Sequence, residues 1–190
     1  NAKTKDGPER MSTVMDVFAW VMCVGFVLII SGLDYLKFFV DDKFWTGLHL
    51  VPILLLANVI LGINTNLNVW YKVSDKTVYG IYITFVGLVI TVVGNVVLIP
   101  VLGILGAACT TLAAYFAMFI ASVLWGGKHY PVPYNWSKIG AFVGFACLVV
   151  FILHYTNWAS GPLKVLGGMV YLGIMLFWER NGLLKFATKK

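Results

Sequence analysis

Polar positions are so sparse in this chain that they act as punctuation. Stretches without charge, bounded by charged or turn-forming residues, predict six apolar helices, at about Val17 to Leu33, His49 to Tyr71, Val78 to Ile99, Ile104 to Trp125, Ile139 to Tyr155 and Gly161 to Trp178. The longest interval free of Asp, Glu, Lys, Arg and His is the 51 residues from Thr77 to Gly127. One membrane span needs about 20 apolar residues, so this interval predicts two spans joined by a tight turn. Pro100, Gly103 and Gly106 mark the turn, with Asn95 just before it. The last helix has a short uncharged core, Val165 to Trp178, of 14 residues, so Lys164 has to snorkel to the membrane surface. Aromatic residues gather at the predicted ends (Trp45, Trp70, Tyr71, Tyr79, Trp125, Tyr130, Tyr134, Trp136, Tyr155, Trp158 and Trp178), where amphipathic rings favour the headgroup level. Phe38 to Gly47 mixes aromatics with charges and is expected to lie along the interface.

Within the helices, small residues recur at packing intervals. Gly80, Gly87 and Gly94 are seven apart, Ala113, Ala117 and Ala121 four apart, and Gly140 and Gly144 repeat that spacing. Such rows let helices approach closely in lipid, where apolar burial between helices contributes little. Bundle packing is their plain reading. Polar residues inside spans are more informative, because each is costly without a partner or a wet cavity. Asn64, Asn68 and Lys72 are spaced four apart and share a face, with Asn58, Thr65 and Asn66 nearby and Asp75 and Lys76 just beyond. Thr84, Thr91 and Asn95 align similarly on the next helix. Two readings stand side by side: amide hydrogen bonds between helices, or the wall of a polar cavity that meets sugar hydroxyls or phosphate. Lys72 and Lys76 also fit as ordinary cytoplasmic anchors, and Asp16 as a helix-start residue.

Composition removes the soluble classes. The chain is 60% hydrophobic and only 12% charged, with a mean hydropathy of +0.87, against about 25% charged in soluble domains. Six spans place both ends on one side, and that side collects 11 of the 14 basic residues (Lys3, Lys5, Arg10, Lys72, Lys76, Lys128, Lys138, Arg180, Lys185, Lys189 and Lys190), leaving Lys37, Lys43 and Lys164 opposite. The positive-inside rule then predicts cytoplasmic termini. Topology and anionic headgroups account for the net charge of +6, so no nucleic-acid partner is called for. The expected organisation is a cytoplasmic segment at 1–13, four helices over 14–127, a cytoplasmic loop at 128–138, and two terminal helices with a basic tail at 139–190. The polar opening (NAKTKDGPER) lacks a signal-peptide pattern, and the chain reads as part of a longer protein.

Candidate chemistry is thin. Cys23, Cys109 and Cys147 are far apart with no metal-ligand spacing. His49, His129 and His154 fall separately at predicted interfaces, with no carboxylate pair or nucleophile elbow. No phosphate-cradling loop occurs. Neither catalysis, metal nor cofactor is expected, and Asn135-Trp136-Ser137, though it fits the glycosylation pattern, falls in a cytoplasmic loop.

The string Asn95-Val-Val-Leu-Ile-Pro100-Val-Leu-Gly103-Ile-Leu-Gly106-Ala-Ala resembles a hallmark of the polysaccharide flippases of the multidrug/oligosaccharidyl-lipid/polysaccharide exporter superfamily. Val51-Pro-Ile-Leu-Leu-Leu-Ala-Asn58, continuing to Asn68-Val-Trp70-Tyr71-Lys72 and Asp75-Lys76-Thr77, is similar to the tenth helix and following loop of O-antigen and capsule flippases. Tyr130-Pro-Val-Pro-Tyr134 is like the loop after their twelfth helix. The resemblance extends from about Asp6 onward. It implies an all-α integral membrane fold of about six spans, the C-terminal part of a fourteen-helix, two-lobed exporter in the bacterial cytoplasmic membrane. It also implies a cargo, undecaprenyl-pyrophosphate-linked oligosaccharide, moved by alternating access. Its partners would be membrane lipids and the protein's own earlier helices, which in relatives carry most of the cavity and the cations that hold pyrophosphate. Asn64, Asn68, Lys72 and Asn95 would then be cavity edge, gate or scaffold. Two alternatives are a multidrug/cation antiporter of the same superfamily, disfavoured because no Asp or Glu falls mid-span, and a membrane-embedded glycosyltransferase or ligase, for which the outer loops offer only Asp34, Asp41 and Asp42.

Overall fold

The structure is a computed structural model that describes residues 7–155 and 161–188. Lys3, Lys5, Trp158, Lys189 and Lys190, used above for topology and interface placement, lie outside the described residues. Helices α1 (Gly7–Ser31), α2 (Leu33–Leu36), α3 (Val51–Leu67), α4 (Val69–Val73), α5 (Val78–Leu102), α6 (Ile104–His129), α7 (Trp136–Tyr155) and α8 (Gly161–Thr188) follow in order, with 3-10 turns over Lys37–Phe39 and Asp42–Leu50. No strand occurs among the described residues. Among the described residues, six helical stretches are long and apolar enough to cross a bilayer, at Gly7–Ser31, Asp42–Val73, Val78–Leu102, Ile104–His129, Trp136–His154 and Gly161–Glu179. The protein is a multi-span helical membrane protein.

Several helices outrun their apolar cores, and local chemistry explains where they stop. α1 starts ten residues before Val17, with Pro8 in its first turn, where a missing N–H costs no intrahelical bond, and Glu9 beside the positive dipole end. α3 opens with Pro52 in the same role. It yields after Leu67 to Asn68, whose N–H still reaches the Asn64 carbonyl at 2.9 Å, before α4 resumes. Asp75 turns the chain at φ 56°, a left-handed conformation that Asp tolerates better than most residues.

The turn expected across Pro100 to Gly106 is more compact than that. Pro100 remains inside α5, and the reversal falls on Gly103 alone, at φ 58°, ψ −135°. Gly106 is needed for a different reason. A Cβ there would strike the Leu98 backbone carbonyl across the hairpin.

The chain forms two compact units. The first comprises the described part of Asn1–Met15 and Leu50–Tyr134, with α6 packed against both α3 and α5. Its packing row is Gly106, Thr110, Ala114, Met118, Ser122 and Gly126, spaced four apart. The glycines of α5 supply the complementary hollows: a Cβ on Gly87 would collide with Met118, and one on Gly94 would come within 2.6 Å of Thr110. The alanine row singled out from sequence lies one position aside, with Ala113 exposed and Ala117 and Ala121 half-buried. The neighbouring row wins because it has glycine at both ends, where the Leu98 backbone and the Trp70 ring come closest. α6 also continues past Trp125, because Gly126 admits Trp70 (a Cβ there would lie 3.0 Å from the indole) without ending the helix.

The second unit comprises Asp16–His49 and the described part of Asn135–Lys190. α7 buries Ile139, Phe142, Ala146, Val150 and Leu153, a helical stripe on the side away from Gly140 and Gly144. Those two glycines are exposed, and a Cβ on either would meet nothing within 4 Å. α8 turns Tyr171, Met175 and Glu179 inward. Phe145 lies 5.2 Å from Tyr171, and Phe142 lies 5.5 Å from Trp178, ring centre to ring centre. Trp20 of α1 donates its indole N–H to the Met175 carbonyl at 3.0 Å.

Candidate functional site

In the first unit, the polar residues predicted on α3 divide by environment. Asn68 Oδ1 accepts a hydrogen bond from the Ser122 hydroxyl at 2.6 Å, and the Ser122 oxygen in turn accepts a longer one, 3.4 Å, from the Trp70 indole N–H. This seam joins the C-terminal end of α3 to α6. Asn64, one turn earlier, is 1% exposed, and its Oδ1 has no hydrogen-bond partner among the described residues. Lys72 is exposed. Asn58, Thr65 and Thr84 turn back on their own helices, bonding the carbonyls of Leu54, Leu61 and Gly80.

Asn95 belongs elsewhere. It lies about 24 Å along α5 from Tyr79 at the α-helical rise, whereas Tyr79 packs beside Trp70, at 5.4 Å. Its Oδ1 is buried without a partner among the described residues, as is the Thr110 hydroxyl that fills the hollow at neighbouring Gly94. The structure thus brings Asn64 and Asn68 into one region, leaves Lys72 outside it, and places Asn95 toward the opposite end of the bundle.

Around the Asn68 seam lies an aromatic cluster that spacing alone did not reveal. His129 stacks on Trp70, with centroids 5.8 Å apart and planes 13° from parallel. Its Nδ1 lies 2.9 Å from the Trp125 carbonyl and its Nε2 lies 3.0 Å from the Tyr79 hydroxyl. A carbonyl can only accept, so Nδ1 carries a proton and donates to Trp125, while Nε2 shares the second hydrogen bond with the Tyr79 hydroxyl. This interlocked arrangement ties α4, the start of α5 and the end of α6 together. In the following loop, the Ser12 hydroxyl donates to the Pro133 carbonyl at 2.8 Å. Burial, and secondarily the neighbouring Tyr130, push the Tyr134 phenol up to about 12, so it remains neutral at physiological pH.

The second unit holds a charge cluster that joins Asp16 and Lys138, read from sequence as a helix-start residue and a cytoplasmic basic residue, to Glu179, for which no role was expected. Lys138 Nζ lies 2.7 Å from Glu179 Oε1 and 3.3 Å from Asp16 Oδ2, linking α7 to α8 and α1. The Glu179 side chain is only 3% exposed, and Asp16 Oδ1 is buried without a hydrogen-bond partner among the described residues. The ammonium also lies 5.6 Å from the centre of the Phe142 ring. Two carboxylates thus share one cation in a weakly hydrated setting, where removal of either sign leaves an uncompensated charge. A second pair, Lys164 Nζ to Asp34 Oδ2 at 2.9 Å, gives the lysine of the shortest apolar core a specific partner.

The sequence did contain a signal for both clusters. With alternating spans, Asp16, Lys138 and Glu179 all fall at ends on one membrane side, and Asp34 and Lys164 on the other. Asp41 accepts a hydrogen bond from the Lys43 amide, so the outer acids Asp34 and Asp41 are engaged locally. Among the described residues, no three His, Cys, Asp or Glu side chains group to hold a metal ion.

The fold and these sites define the class as a multi-span helical membrane protein. No protein-family model matches the chain, and neither a curated protein nor a solved structure matches it.

Proposed function

We propose that this chain is part of a flippase for lipid-linked oligosaccharides, moving undecaprenyl-pyrophosphate-linked repeat units across the bacterial cytoplasmic membrane for surface polysaccharide synthesis. The observation that carries this reading is the hairpin string Asn95 to Ala108. Its two glycines are each demanded by geometry, Gly103 by its positive φ and Gly106 by the Leu98 carbonyl, so the family-like spacing has a physical reason in this chain. The role is transport without covalent chemistry. Both termini face the cytoplasm, the lipid tail stays in the bilayer, and the pyrophosphate-binding cations lie mostly in helices that precede this segment. Asn64 and Asn95 are the polar residues here best suited to edge a cavity, since each carries a buried amide oxygen with no hydrogen-bond partner among the described residues. Deleting the gene is expected to abolish the corresponding surface polysaccharide, read by immunoblot of cell-surface glycan. Normal surface glycan in the deletion strain rules the reading out.

One observation favours a second reading, a cation-coupled multidrug antiporter of the same superfamily. Glu179, which the span limits placed just outside the last helix, is buried within α8. Under that reading Glu179→Gln abolishes ion-driven efflux of organic cations from vesicles. Under the flippase reading such efflux is absent from the unaltered protein as well.

A further inference from the structure

Between the end of α1 and the start of α3 the chain makes short helical turns whose aromatic side chains face away from the protein. Phe38, Phe39 and Phe44 are 73%, 91% and 68% exposed. In water each would forfeit about 1.5–3 kcal/mol relative to burial. We infer that this segment, Lys37 to Trp45, inserts its phenylalanines into the boundary between headgroups and acyl chains, as a surface anchor selective for the bilayer and indifferent to lipid charge. The inference rests on the membrane-spanning fold and is independent of the transported cargo.

Three observations commit it to lipid. The segment follows one stretch apolar enough to cross a bilayer and runs into the start of the next, Asp42–Val73, so its exposed rings fall at span ends, where aromatic residues favour the headgroup level. Its polar edges are internally satisfied in the way an interfacial segment requires: the Trp45 indole N–H donates to the Val40 carbonyl at 3.1 Å, and the Lys43 amide donates to Asp41. Lys37 Nζ sits 5.5 Å from the Phe38 ring centre and 5.6 Å from that of Trp45, which keeps the ammonium at the level of the rings, where it can reach phosphate. The charges of Lys37 and Lys43 balance those of Asp41 and Asp42. Binding is therefore driven by apolar insertion, without the attraction to anionic headgroups that a basic anchor shows.

The test uses the whole chain in liposomes with Cys23, Cys109 and Cys147 replaced by alanine and a nitroxide placed in turn at Phe38→Cys, Phe39→Cys, Phe44→Cys and Asp41→Cys. Labels at the three phenylalanine positions are expected to collide more with oxygen than with a water-soluble nickel chelate, at a depth of about 5–10 Å into the headgroup and acyl boundary. The label at Asp41 should show the reverse order. The pattern is expected to be the same in phosphatidylcholine and in vesicles enriched in phosphatidylglycerol, and at raised salt. Nickel-accessible labels at the phenylalanine positions would mean a loop in water, and immobile labels shielded from both reagents would mean a protein partner. Either result overturns the inference. A second measurement avoids cysteine variants: Trp45→Phe should reduce the tryptophan fluorescence quenched by brominated phosphatidylcholine, and loss of only the iodide-quenched fraction contradicts insertion.

Discussion

Asn64 and Asn68 are one helical turn apart and chemically alike, yet their surroundings assign them different work. Asn68 is bonded to Ser122, whereas the Asn64 amide oxygen is buried with no hydrogen-bond partner among the described residues. Replacing a buried polar group that lacks a partner by an apolar one of similar size is near neutral or stabilising, whereas removing one member of a bonded pair leaves the other exposed to the full desolvation cost. Asn64→Leu is therefore expected to leave the melting temperature in detergent unchanged or raise it while lowering transport; Asn68→Leu is expected to cost about 1–3 kcal/mol. Equal destabilisation by both would show that Asn64 is a structural hydrogen-bonding residue. Lys138 is a sharper case. Lys138→Met strands two carboxylates, and a loss of about 2–3 kcal/mol is expected, below the about 3–5 kcal/mol of a fully buried pair because the lysine side chain remains 24% exposed. Adding Glu179→Met to that variant should recover part of the loss in the same melting measurement. No recovery would mean that the cluster does not couple these helices.

At the scale of elements, the α5–α6 hairpin sets the first unit. Its glycines serve unequal purposes, and substitution should separate them. Gly106→Ala drives a Cβ into backbone and Gly103→Ala adds a side chain at a positive φ, a strain of about 1–3 kcal/mol, whereas Gly87→Ala meets only the flexible Met118 side chain. Thermal unfolding should rank the first two well below the third. Much of this level was legible in the sequence, because charge-free length and end-placed aromatics both follow from bilayer thickness. The number and order of apolar helices could be read from the sequence for that reason. Which small-residue row would pack could not. Ala113 to Ala121 and Thr110 to Gly126 have the same spacing, and the choice between them depends on how closely Trp70 and Leu98 approach from other elements. The ion cluster was hidden for a related reason: Asp16, Lys138 and Glu179 are far apart in sequence, and each alone has an ordinary explanation at a helix end.

At the scale of the molecule, the basic residues and the hairpin support two separable claims, orientation and cargo. Lys72 and Lys76 are both exposed near the end of α4, consistent with topogenic anchors. Lys72→Ala with Lys76→Ala is expected to shift the orientation reported by fusions after α4 while leaving glycan choice unaltered; unchanged orientation with altered glycan would assign these lysines to the cargo site. The cargo claim is tested most directly by locating the lipid-linked oligosaccharide itself. In spheroplasts of a deletion strain, a membrane-impermeant periodate treatment should leave the lipid-linked repeat units intact, because they remain on the cytoplasmic leaflet, and complementation should render them oxidisable. Repeat units oxidised to the same extent with and without the protein would contradict the account.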